Sequence, residues 1–384
     1  MSELASMVAV FSGGGTGGHL YPALALADAL QGIRPGTRVF FVGAQRGLEA
    51  RVLPRMSYEH LLLPVRGLRR GSILGNAGVL GSLVISILKT GEAFSRLRPR
   101  MVVVTGGYAG GPAGLVAALM GIPLALQEQN ARPGITTRVL SRWSRQIHLA
   151  FPEAREFLPR QSRGRARITG NPVRPPVFED PAISRQALGL DPEARTLLVV
   201  GGSQGSLALN QAVLEMVRSL ASGDRAPPEG LQLCWSTGPA HQERIQAALA
   251  EMGNPFWVKA LGYIHEMPRA LNAATLAVSR AGASATSEFL AAGLPSILVP
   301  LPTAAANHQA RNAESLEEAG AAIQIPQDGL TPEALWDAVR DLLADPSRLS
   351  GMRKAARERG RPQATAEIAG SLARLLSEKP EARS

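Results

Sequence analysis

The chain has 384 residues, more than the roughly 250–300 at which a single hydrophobic core stops growing, so two domains are expected. With 45% hydrophobic and 19% charged residues and a mean hydropathy of +0.02, it is not an intrinsically disordered protein. The single cysteine, Cys234, excludes an internal disulfide and a thiolate zinc site, and is typical of a reducing compartment.

The charge is unevenly distributed along the chain. Residues 1–174 contain 22 Lys and Arg against eight Asp and Glu, a net charge of +14, so the remaining residues carry −4 of the total of +10. This asymmetry predicts a polyanionic partner, either a phosphorylated substrate or an anionic membrane surface. Nucleic acid has little support, because aromatic residues make up 4% of the chain and no zinc-finger spacing occurs.

Short runs of Val, Ile and Leu alternate with helix-like segments, which predicts an α/β fold of parallel sheets covered by helices. The N-terminal apolar run is short and meets glycines, so we interpret it as a first strand, not a signal peptide. The clearest predicted strands are Val8–Ser12, Arg38–Val42, Met101–Thr105, Leu124–Gln127, Leu197–Val200, Leu231–Trp235, Leu276–Ser279 and Ser296–Val299.

The same pattern of a strand, a glycine loop and a helix opens each half of the chain, which predicts two doubly wound, Rossmann-like domains. The proline-rich segment Asn171–Pro176 is the predicted linker, giving domains 1–174 and 175–360. A helix from about Gln363 to Ser377, within 361–384, could cross back to the first domain.

An apolar segment, Ile73–Leu88, follows three arginines and precedes Lys89. No apolar run reaches the roughly 18–20 residues of a membrane-spanning helix. The segment is either a buried helix of the first domain or a partly exposed patch that rests on an anionic membrane. The residues of the candidate membrane patch are Arg69, Arg70, Ile73, Leu74, Leu80, Leu83, Val84 and Ile87. A basic cluster that could extend it, or form a solvated helix face, is Arg138, Arg142, Trp143 and Arg145.

Three glycine loops follow predicted strands, at Gly13–Gly18, Thr105–Pro112 and Gly201–Gly205. Such loops offer backbone N–H groups and helix N-termini to anions, and we expect two domains that face each other across a cleft. Gly13–Gly18 also fits a dinucleotide fingerprint, but Arg38–Val42 is not followed by the acidic residue that would take the ribose hydroxyls. A Walker lysine and an Asp-x-Asp metal clamp are both absent from the sequence.

A family resemblance covers essentially the whole chain. The sequence resembles the MurG-type enzymes of glycosyltransferase family 28, the undecaprenyldiphospho-muramoylpentapeptide β-N-acetylglucosaminyltransferases of bacterial peptidoglycan synthesis. The motifs that carry the resemblance are Gly-Gly-Thr-Gly-Gly-His (14–19), Thr-Gly-Gly-Tyr (105–108), Glu-Gln-Asn (128–130), Gly-Asn-Pro-Val-Arg (170–174), Gly-Gly-Ser-Gln-Gly (201–205), Ser-Arg-Ala-Gly-Ala (279–283) with Glu288, and His-Gln-x-x-Asn-Ala (308–313).

The resemblance implies an inverting transferase of the glycosyltransferase B fold. It would move N-acetylglucosamine from UDP-N-acetylglucosamine, bound by the C-terminal domain, to the 4-hydroxyl of a muramyl-pentapeptide diphosphate lipid met by the N-terminal domain. It also implies a peripheral enzyme at the cytoplasmic face of the bacterial cell membrane, with a part in cell shape and division and other cell-wall synthesis proteins as conceivable partners. We expect no cofactor and no tightly bound metal.

The resemblance also implies roles for individual residues. His19 is the candidate general base, since imidazole titrates near neutrality, while the alternative is that it caps the glycine loop or binds a phosphate. The acceptor diphosphate would meet Gly14, Gly15, Gly106, Gly107 and Tyr108. The donor would meet Thr16, Gly17, Gly18, Asn130, Arg174, Ser203, Ile264, Ala283, Glu288, His308 and Gln309.

Glu288 is expected early in a helix that starts near Ser287, where a carboxylate can bind both ribose hydroxyls or simply complement the helix dipole. Two positions depart from the family. Gln127 replaces the histidine often found there, and 303–307 lacks the acidic and basic residues frequent in relatives.

Three alternatives remain open. The first is an NADP-dependent oxidoreductase that uses Gly13–Gly18. The second is a catalytically silent module that binds a sugar nucleotide or a lipid diphosphate. The third is a relative with the same donor but a different acceptor.

Overall fold

The computed structural model describes residues 7–67, 73–224, 230–304 and 307–378. The chain divides into two compact units, the first comprising Met1–Val173 with Gln363–Ser384 and the second comprising Arg174–Pro362. Each unit is built around its own parallel sheet with helices packed on it. The predicted fold class, two doubly wound α/β domains, is therefore confirmed.

Among the residues that the structure describes, a strand lies at each of the eight predicted positions and five further strands are present. In chain order the strands are β1 (Val8–Gly13), β2 (Arg38–Ala44), β3 (Glu59–Leu63), β4 (Met101–Gly106), β5 (Leu124–Glu128), β6 (Gln146–Leu149), β7 (Ala166–Ile168), β8 (Arg195–Val200), β9 (Leu231–Ser236), β10 (Val258–Leu261), β11 (Leu276–Ser279), β12 (Ser296–Leu298) and β13 (Ala322–Gln324).

Helices connect these strands. They are α1 (Gly17–Ile33), α2 (Glu49–Val52), α3 (Ile73–Leu97), α4 (Gly110–Met120), α5 (Ile135–Leu140), α6 (Pro181–Ala187), α7 (Leu207–Ala221), α8 (Gln242–Glu251), α9 (Met267–Ala273), α10 (Ala283–Ala292), α11 (His308–Glu318), α12 (Pro332–Ala344), α13 (Pro346–Arg359) and α14 (Ala364–Ser377). Short 3₁₀ turns complete the connections. The C-terminal helix predicted from about Gln363 is thereby confirmed.

The strand order explains where each unit can bind a ligand. In the first sheet the order is β3-β2-β1-β4-β5-β6-β7, and in the second it is β10-β9-β8-β11-β12-β13. Every strand pairing is parallel. The direction of winding reverses between β1 and β4 and between β8 and β11, and ligands of such sheets bind at the carboxyl ends of those strands.

Both faces of the first sheet are covered. On one face, Leu26 and Leu30 of α1 and Leu372 and Leu376 of α14 are fully buried in a cluster with Phe11. On the other face, residues of α3, α4 and α5 form a second cluster against the same strands. The helix near the C-terminus is therefore part of the core of the first unit.

The core of the second unit contains a buried polar contact. Trp235 is fully buried against Val213 of α7 and Trp336 of α12. Its indole Nε1 donates to Asn210 Oδ1 (3.1 Å), and Asn210 Nδ2 donates to the Thr237 carbonyl (2.7 Å). The amide of Asn210 satisfies the indole and also fixes the chain where β9 ends.

The long helix α3 extends the predicted apolar segment. Its part Gly78–Leu97 is, by length and composition alone, apolar enough to cross a membrane, although charged residues interrupt it. The helix continues through Lys89 and Glu92, where the sequence-based segment ends. Only 28% of that window is buried, which also excludes the reading of a fully buried helix.

Candidate active site

The first glycine loop joins β1 to α1 at the carboxyl edge of the first sheet. Gly15 has a left-handed backbone (φ +90°), and a Cβ there would lie 2.7 Å from Cε1 of Tyr108. Tyr108 belongs to the second loop, after β4, and its hydroxyl donates to the Arg46 carbonyl (2.7 Å). Burial raises the pKa of Tyr108, with a further contribution from the carboxylate of Glu49. The predicted acceptor residues of the two loops therefore lie together.

The two loops touch through their backbones. A Cβ on Gly107 would overlap the carbonyl oxygen of Gly14, and Gly107 itself has a left-handed backbone (φ +72°). The Thr105 hydroxyl donates to the His19 carbonyl (2.7 Å), which joins the end of β4 to the first turn of α1. Only glycine allows this approach, which gives the glycine pattern a structural cause.

His19 lies in the first turn of α1, between these loops. Its Nδ1 is 3.0 Å from the Thr16 hydroxyl, and a Cβ on Gly106 would be 3.1 Å from its Nε2. If Nδ1–H donates to Thr16, Nε2 keeps the lone pair that a general base needs. The positions of Thr16 and Gly106 suit this role, while Gly17 and Gly18 form the N-terminus of the same helix.

Glu49 is a residue of this region that the sequence interpretation missed. It is fully buried at the start of α2, and both carboxylate oxygens accept from the Gly15 N–H (2.9 and 3.0 Å). The sequence interpretation expected an acidic residue directly after Arg38–Val42, whereas Glu49 lies three residues beyond Arg46. The glycines before it, Gly43 and Gly47, were the available signal, since both make room for its side chain.

Asn130 is held by a buried carboxyl group. Glu128 Oε1 accepts from the backbone N–H (3.2 Å) and from Nδ2 (3.3 Å) of Asn130, while Oε2 accepts from Gly134 N–H (3.2 Å) and the Thr137 hydroxyl (2.6 Å). Burial raises the pKa of Glu128, and these four hydrogen bonds oppose the shift. Thr136 donates to the Gly107 carbonyl (3.0 Å), so the turn after Asn130 is tied to the second loop.

Replacing Thr137 by valine is expected to lower the free energy of unfolding by about 1–3 kcal/mol, because Glu128 then has a buried carboxylate oxygen with one partner fewer. Urea denaturation of the purified protein would measure the loss. Thr137→Ser, which keeps the hydroxyl, is the control and should stay close to the unmodified protein. A Val variant as stable as the Ser variant would contradict the assignment.

The departure at Gln127 is accommodated by a buried amide network. Gln127 Nε2 donates to Asn171 Oδ1 (3.2 Å), and Gln129 Nε2 donates to Gln127 and to the Thr105 carbonyl (2.7 Å). An amide at position 127 thus serves the hydrogen bonding of its neighbours. It brings no titratable group to this part of the first unit.

The glycine loop of the second unit joins β8 to α7. Gly202 and Gly205 have left-handed backbones, and a Cβ on Gly205 would overlap the Thr237 carbonyl. Ser203 is exposed on this loop, just before the N-terminus of the 15-residue helix α7. That position suits a hydroxyl and helix dipole that meet a phosphate.

Arg280 stabilises the adjacent strand ends. Its Nε donates to the Ser206 hydroxyl (2.8 Å), Nη1 to the carbonyls of Val299 (3.1 Å) and Pro300 (3.3 Å), and Nη2 to Gln327 Oε1 (2.7 Å). The guanidinium is buried, and burial lowers its pKa. Arg280 therefore stabilises the loops around the site through hydrogen bonds, a role that the sequence motif alone does not reveal.

Three predicted donor residues lie near one another in the second unit. Arg174 Nη1 donates to the His265 carbonyl (3.1 Å), next to Ile264, whose side chain is buried. Burial raises the pKa of Glu288 to about 7, and the positive charge of Arg174 opposes this shift. An arginine, a backbone segment and a carboxyl group thus approach one another near the end of β11.

The expected helical position of Glu288 is wrong. The helix α10 begins at Ala283, after Gly282 as N-cap, so Glu288 is its sixth residue and no acidic residue lies in the first turn. The pair Ser287-Glu288 resembles the start of a helix, but the small residues from 283 to 286 already form the first turn of α10. The helix-dipole explanation of Glu288 therefore fails, because the dipole acts mainly on charges in the first turn.

The remaining donor candidates follow β11 and β12. His308 is the first residue of α11, and Gln309 Oε1 accepts from the Leu301 N–H (2.9 Å), which fixes the turn after the strand. Ala283, the first residue of α10, is buried. Positions 305 and 306, part of the second departure from the family, lie outside the described residues.

Comparison with known proteins identifies the family. The family model of the glycosyltransferase family 28 N-terminal domain matches residues 9–149, and the model of the glycosyltransferase family 28 C-terminal domain matches residues 196–368. The chain belongs to glycosyltransferase family 28. The predicted family and the predicted enzyme class, a glycosyltransferase, are confirmed.

Similar proteins from the family cover nearly the whole chain. Curated relatives from Chlorobaculum parvum and Prosthecochloris aestuarii, 42% and 41% identical, are each named UDP-N-acetylglucosamine–N-acetylmuramyl-(pentapeptide) pyrophosphoryl-undecaprenol N-acetylglucosamine transferase. Both comparisons cover 96% of this chain and 99% of the relative. The crystal structure of Acinetobacter baumannii MurG matches with a TM-score of 0.76 at 28% identity, over 96% of this chain and 99% of that one.

The family 28 site residues thus form two sets, one in each unit. In the first unit, His19 and Thr16 lie beside Gly14, Gly15, Gly106, Gly107 and Tyr108, with Glu49 and Glu128 as buried supports. In the second unit, Arg174, Ile264 and Glu288 lie close together, and Ser203 and Ala283 lie at the ends of β8 and β11. Their roles in binding and catalysis stay predictions.

Proposed function

We propose that this chain transfers N-acetylglucosamine from UDP-N-acetylglucosamine to the 4-hydroxyl of the muramyl residue of a pentapeptide diphospho-undecaprenol lipid, the step from lipid I to lipid II. The observation that carries the proposal is the presence of both sets of site residues, each at the carboxyl ends of strands where the winding reverses. The names of the relatives from Chlorobaculum parvum and Prosthecochloris aestuarii agree with this reaction.

The proposed chemistry is a single displacement with inversion. Nε2 of His19 takes the proton of the 4-hydroxyl while that oxygen forms a bond to the anomeric carbon of the donor sugar. The bond between the anomeric carbon and the diphosphate breaks, and UDP leaves with the electron pair. Arg174 and the N-terminus of α7 beside Ser203 stabilise the charge that develops on the diphosphate.

Donor recognition is assigned to the second unit. The carboxylate of Glu288 accepts hydrogen bonds from the ribose hydroxyls, and backbone groups beside Ile264 contact uracil. Ala283, His308 and Gln309 contact the sugar. Asn130 and the loop of Thr16, Gly17 and Gly18 complete the donor contacts from the first unit. The reaction as proposed requires no cofactor and no tightly bound metal.

The test is transfer of labelled N-acetylglucosamine to a short-chain analogue of the muramyl-pentapeptide diphosphate lipid, with UDP-glucose and UDP-N-acetylgalactosamine as competing donors. Selective product formation is the expected result. Donor binding without product would instead indicate a different acceptor or a silent binding module. The oxidoreductase alternative predicts NADPH binding, although the acidic residue that follows β2, Glu49, is already bonded to Gly15.

We also propose that the first unit associates peripherally with the cytoplasmic face of an anionic membrane. Exposed apolar side chains lie on α3, α4 and α5, which pack side by side on one face of the first sheet. Together with Trp143, which follows α5, those that form the α3–α5 patch are Leu80, Val84, Leu88, Leu119, Met120 and Val139. Exposed basic residues nearby include Lys89, Arg142 and Arg145, which suits anionic headgroups.

Not every residue of the predicted patch is exposed or described. Leu83 and Ile87 are partly buried, and Ile87 packs against the core. Arg69 and Arg70 lie outside the described residues, as do the side chains of Ile73 and Leu74. We therefore propose a patch that reaches α4 and α5 and has its apolar centre at Leu80, Val84 and Leu88.

The double variant Leu80→Glu with Leu88→Glu is expected to lose most of its binding to phosphatidylglycerol-containing vesicles, since both side chains are about two-thirds exposed and each charge opposes insertion. Co-sedimentation with vesicles measures the loss, and transfer to the soluble acceptor analogue should persist. Phe256→Glu, a fully exposed position of the second unit, is the control. Equal vesicle binding by all three proteins would contradict the proposal.

A further inference from the structure

The carboxylate of Glu49 lies directly beneath the first glycine loop. Its Oε1 accepts from the Gly15 N–H (2.9 Å) and from the Ala44 N–H (3.2 Å), and its Oε2 accepts from the same Gly15 N–H (3.0 Å). The side chain has no solvent exposure. One buried carboxylate thus joins the end of β2 to the turn between β1 and α1.

Three glycines leave the space that this side chain occupies. A Cβ on Gly14 would overlap Glu49 Oε1, a Cβ on Gly47 would lie 2.6 Å from Oε2, and a Cβ on Gly43 would lie 2.8 Å from Cγ. These glycines come from two separate segments of the chain. The site is therefore built around a carboxylate of this length, which a shorter side chain would not fill.

The charge of the buried Glu49 carboxylate is compensated by backbone groups. Among the described residues, no Lys or Arg lies within ion-pair distance of Glu49, so backbone N–H groups offset the cost of burying the carboxylate. The Gly15 N–H is consumed in this contact. It is therefore not available to a substrate phosphate. Any contact of Gly15 with the diphosphate must be made by another group than its backbone N–H.

The contact determines where the catalytic candidates lie. Gly15 precedes Thr16, the N-cap of α1, whose carbonyl accepts from the His19 N–H (3.2 Å) and whose hydroxyl lies 3.0 Å from His19 Nδ1. The Tyr108 ring also packs close to Gly15, where an added Cβ would lie 2.7 Å from Cε1. The turn thus contacts both the Glu49 carboxylate and the Tyr108 ring.

We propose that Glu49 is a positioning residue whose buried carboxylate holds the Gly14–Thr16 turn, and through it His19, in the geometry that acceptor turnover requires. This inference rests on the proposed function, because it assigns the turn to the transfer step. It predicts a much larger effect on kcat than on donor affinity, since the proposed ribose, uracil and diphosphate contacts belong to the second unit and only the loop of Thr16, Gly17 and Gly18 is near the displaced turn.

The test compares Glu49→Gln with the unmodified protein. The glutamine has the same size and keeps Oε1 as an acceptor for Gly15 and Ala44, but its Nε2 would replace Oε2 about 3.0 Å from the Gly15 N–H, where two donors would face each other and push the turn away. We expect kcat for the short-chain acceptor to fall about tenfold to hundredfold, as for a catalytic group displaced by about 1 Å. Calorimetry with UDP-N-acetylglucosamine should show a change in Kd much smaller than the change in kcat, and hydrogen exchange of peptides covering 11–20 should become faster.

Controls separate this effect from general loss of structure. Glu59→Gln removes an exposed carboxylate that is paired with Arg38 (2.6 Å) and should leave kcat and exchange unchanged. Gly47→Ala keeps the carboxylate and displaces it, because the added Cβ would lie 2.6 Å from Oε2. It should reproduce the slower turnover and faster exchange in weaker form, and it provides the test if Glu49→Gln fails to fold.

Two results would have different meanings. If Glu49→Gln and Gly47→Ala both kept the unmodified kcat and exchange of 11–20, the positioning role would be overturned while the proposed function stood. If the unmodified protein itself made no product, the proposed function would fail. In that case faster exchange of 11–20 in the variants would still support the anchoring of the turn, and unchanged exchange would refute it.

Discussion

Replacing His19 by alanine is expected to lower the rate of sugar transfer by about 10²- to 10⁴-fold, the usual contribution of a general base. The main-chain contact of this residue, its carbonyl with the Thr105 hydroxyl, survives the substitution, so the loop should keep its structure. Initial rates with the short-chain acceptor and saturating UDP-N-acetylglucosamine measure the effect. Donor affinity, measured by calorimetry, should be retained.

A matched histidine provides the control for this experiment. His60 lies on β3, with its Nδ1 3.1 Å from the Tyr58 carbonyl, and is remote from the glycine loops in sequence. His60→Ala should turn over at nearly the unmodified rate. If His19→Ala did the same, the base assignment would be removed, and a capping role for the imidazole would explain its place at the loop.

The substitution Glu288→Gln is expected to have opposite effects on stability and on donor binding. Burial raises the pKa of Glu288 from 4.5 to about 7, so the unfolded chain releases this proton at lower pH than the folded one. The folded state therefore loses stability as the pH rises from about 4.5 through 7. The neutral amide of the variant avoids this loss and should stabilise the unliganded protein by up to about 3 kcal/mol at about pH 8, with little effect at about pH 4.

Donor binding should change in the other direction. The ionised carboxyl group is the stronger acceptor for ribose hydroxyls, so the affinity for UDP should fall as the pH drops below about 7. In Glu288→Gln the affinity should be low and nearly independent of pH. Calorimetry with UDP between about pH 6 and 8.5 and thermal unfolding at about pH 4 and 8 measure both effects.

Glu314→Gln is the control for the Glu288 experiment. Glu314 is an exposed carboxylate of α11, paired with Arg311 (2.8 Å), and its loss should change neither stability nor the pH dependence of UDP binding. If Glu288→Gln bound UDP as tightly as the control at about pH 8, the ribose role would be wrong. The gain in stability alone would then describe a buried carboxyl group without a ligand.

The sequence predicted the central strands well because buried parallel strands consist of continuous apolar runs. The five unpredicted strands are short and carry polar residues, as in Glu59 of β3, His148 of β6 and Lys259 of β10. Their polar side chains interrupt the apolar pattern, while their backbones still complete a sheet. A search for apolar runs cannot recognise such strands, since their partners lie far away in the sequence.

The candidate site could be predicted from the sequence only in part. Glycine motifs located both loops, because close backbone contacts admit no Cβ and leave a recognisable pattern. The buried carboxyl groups Glu49 and Glu128 could not be assigned roles, since their hydrogen bonds go to backbone groups distant in sequence or to a turn whose shape is not evident. Arg280 received no role from its motif, and only its four hydrogen-bond acceptors in the structure show that it stabilises the surrounding loops.

The position of α14 has a consequence for how the protein is made. This helix buries Leu372 and Leu376 on the first sheet, and Thr365 donates to the Val173 carbonyl (2.9 Å). A ribosome synthesises the whole second unit before it reaches these residues. The nascent first unit therefore exposes an apolar face, including part of α1, until α14 has been synthesised, and chaperone binding to that face would protect it from aggregation.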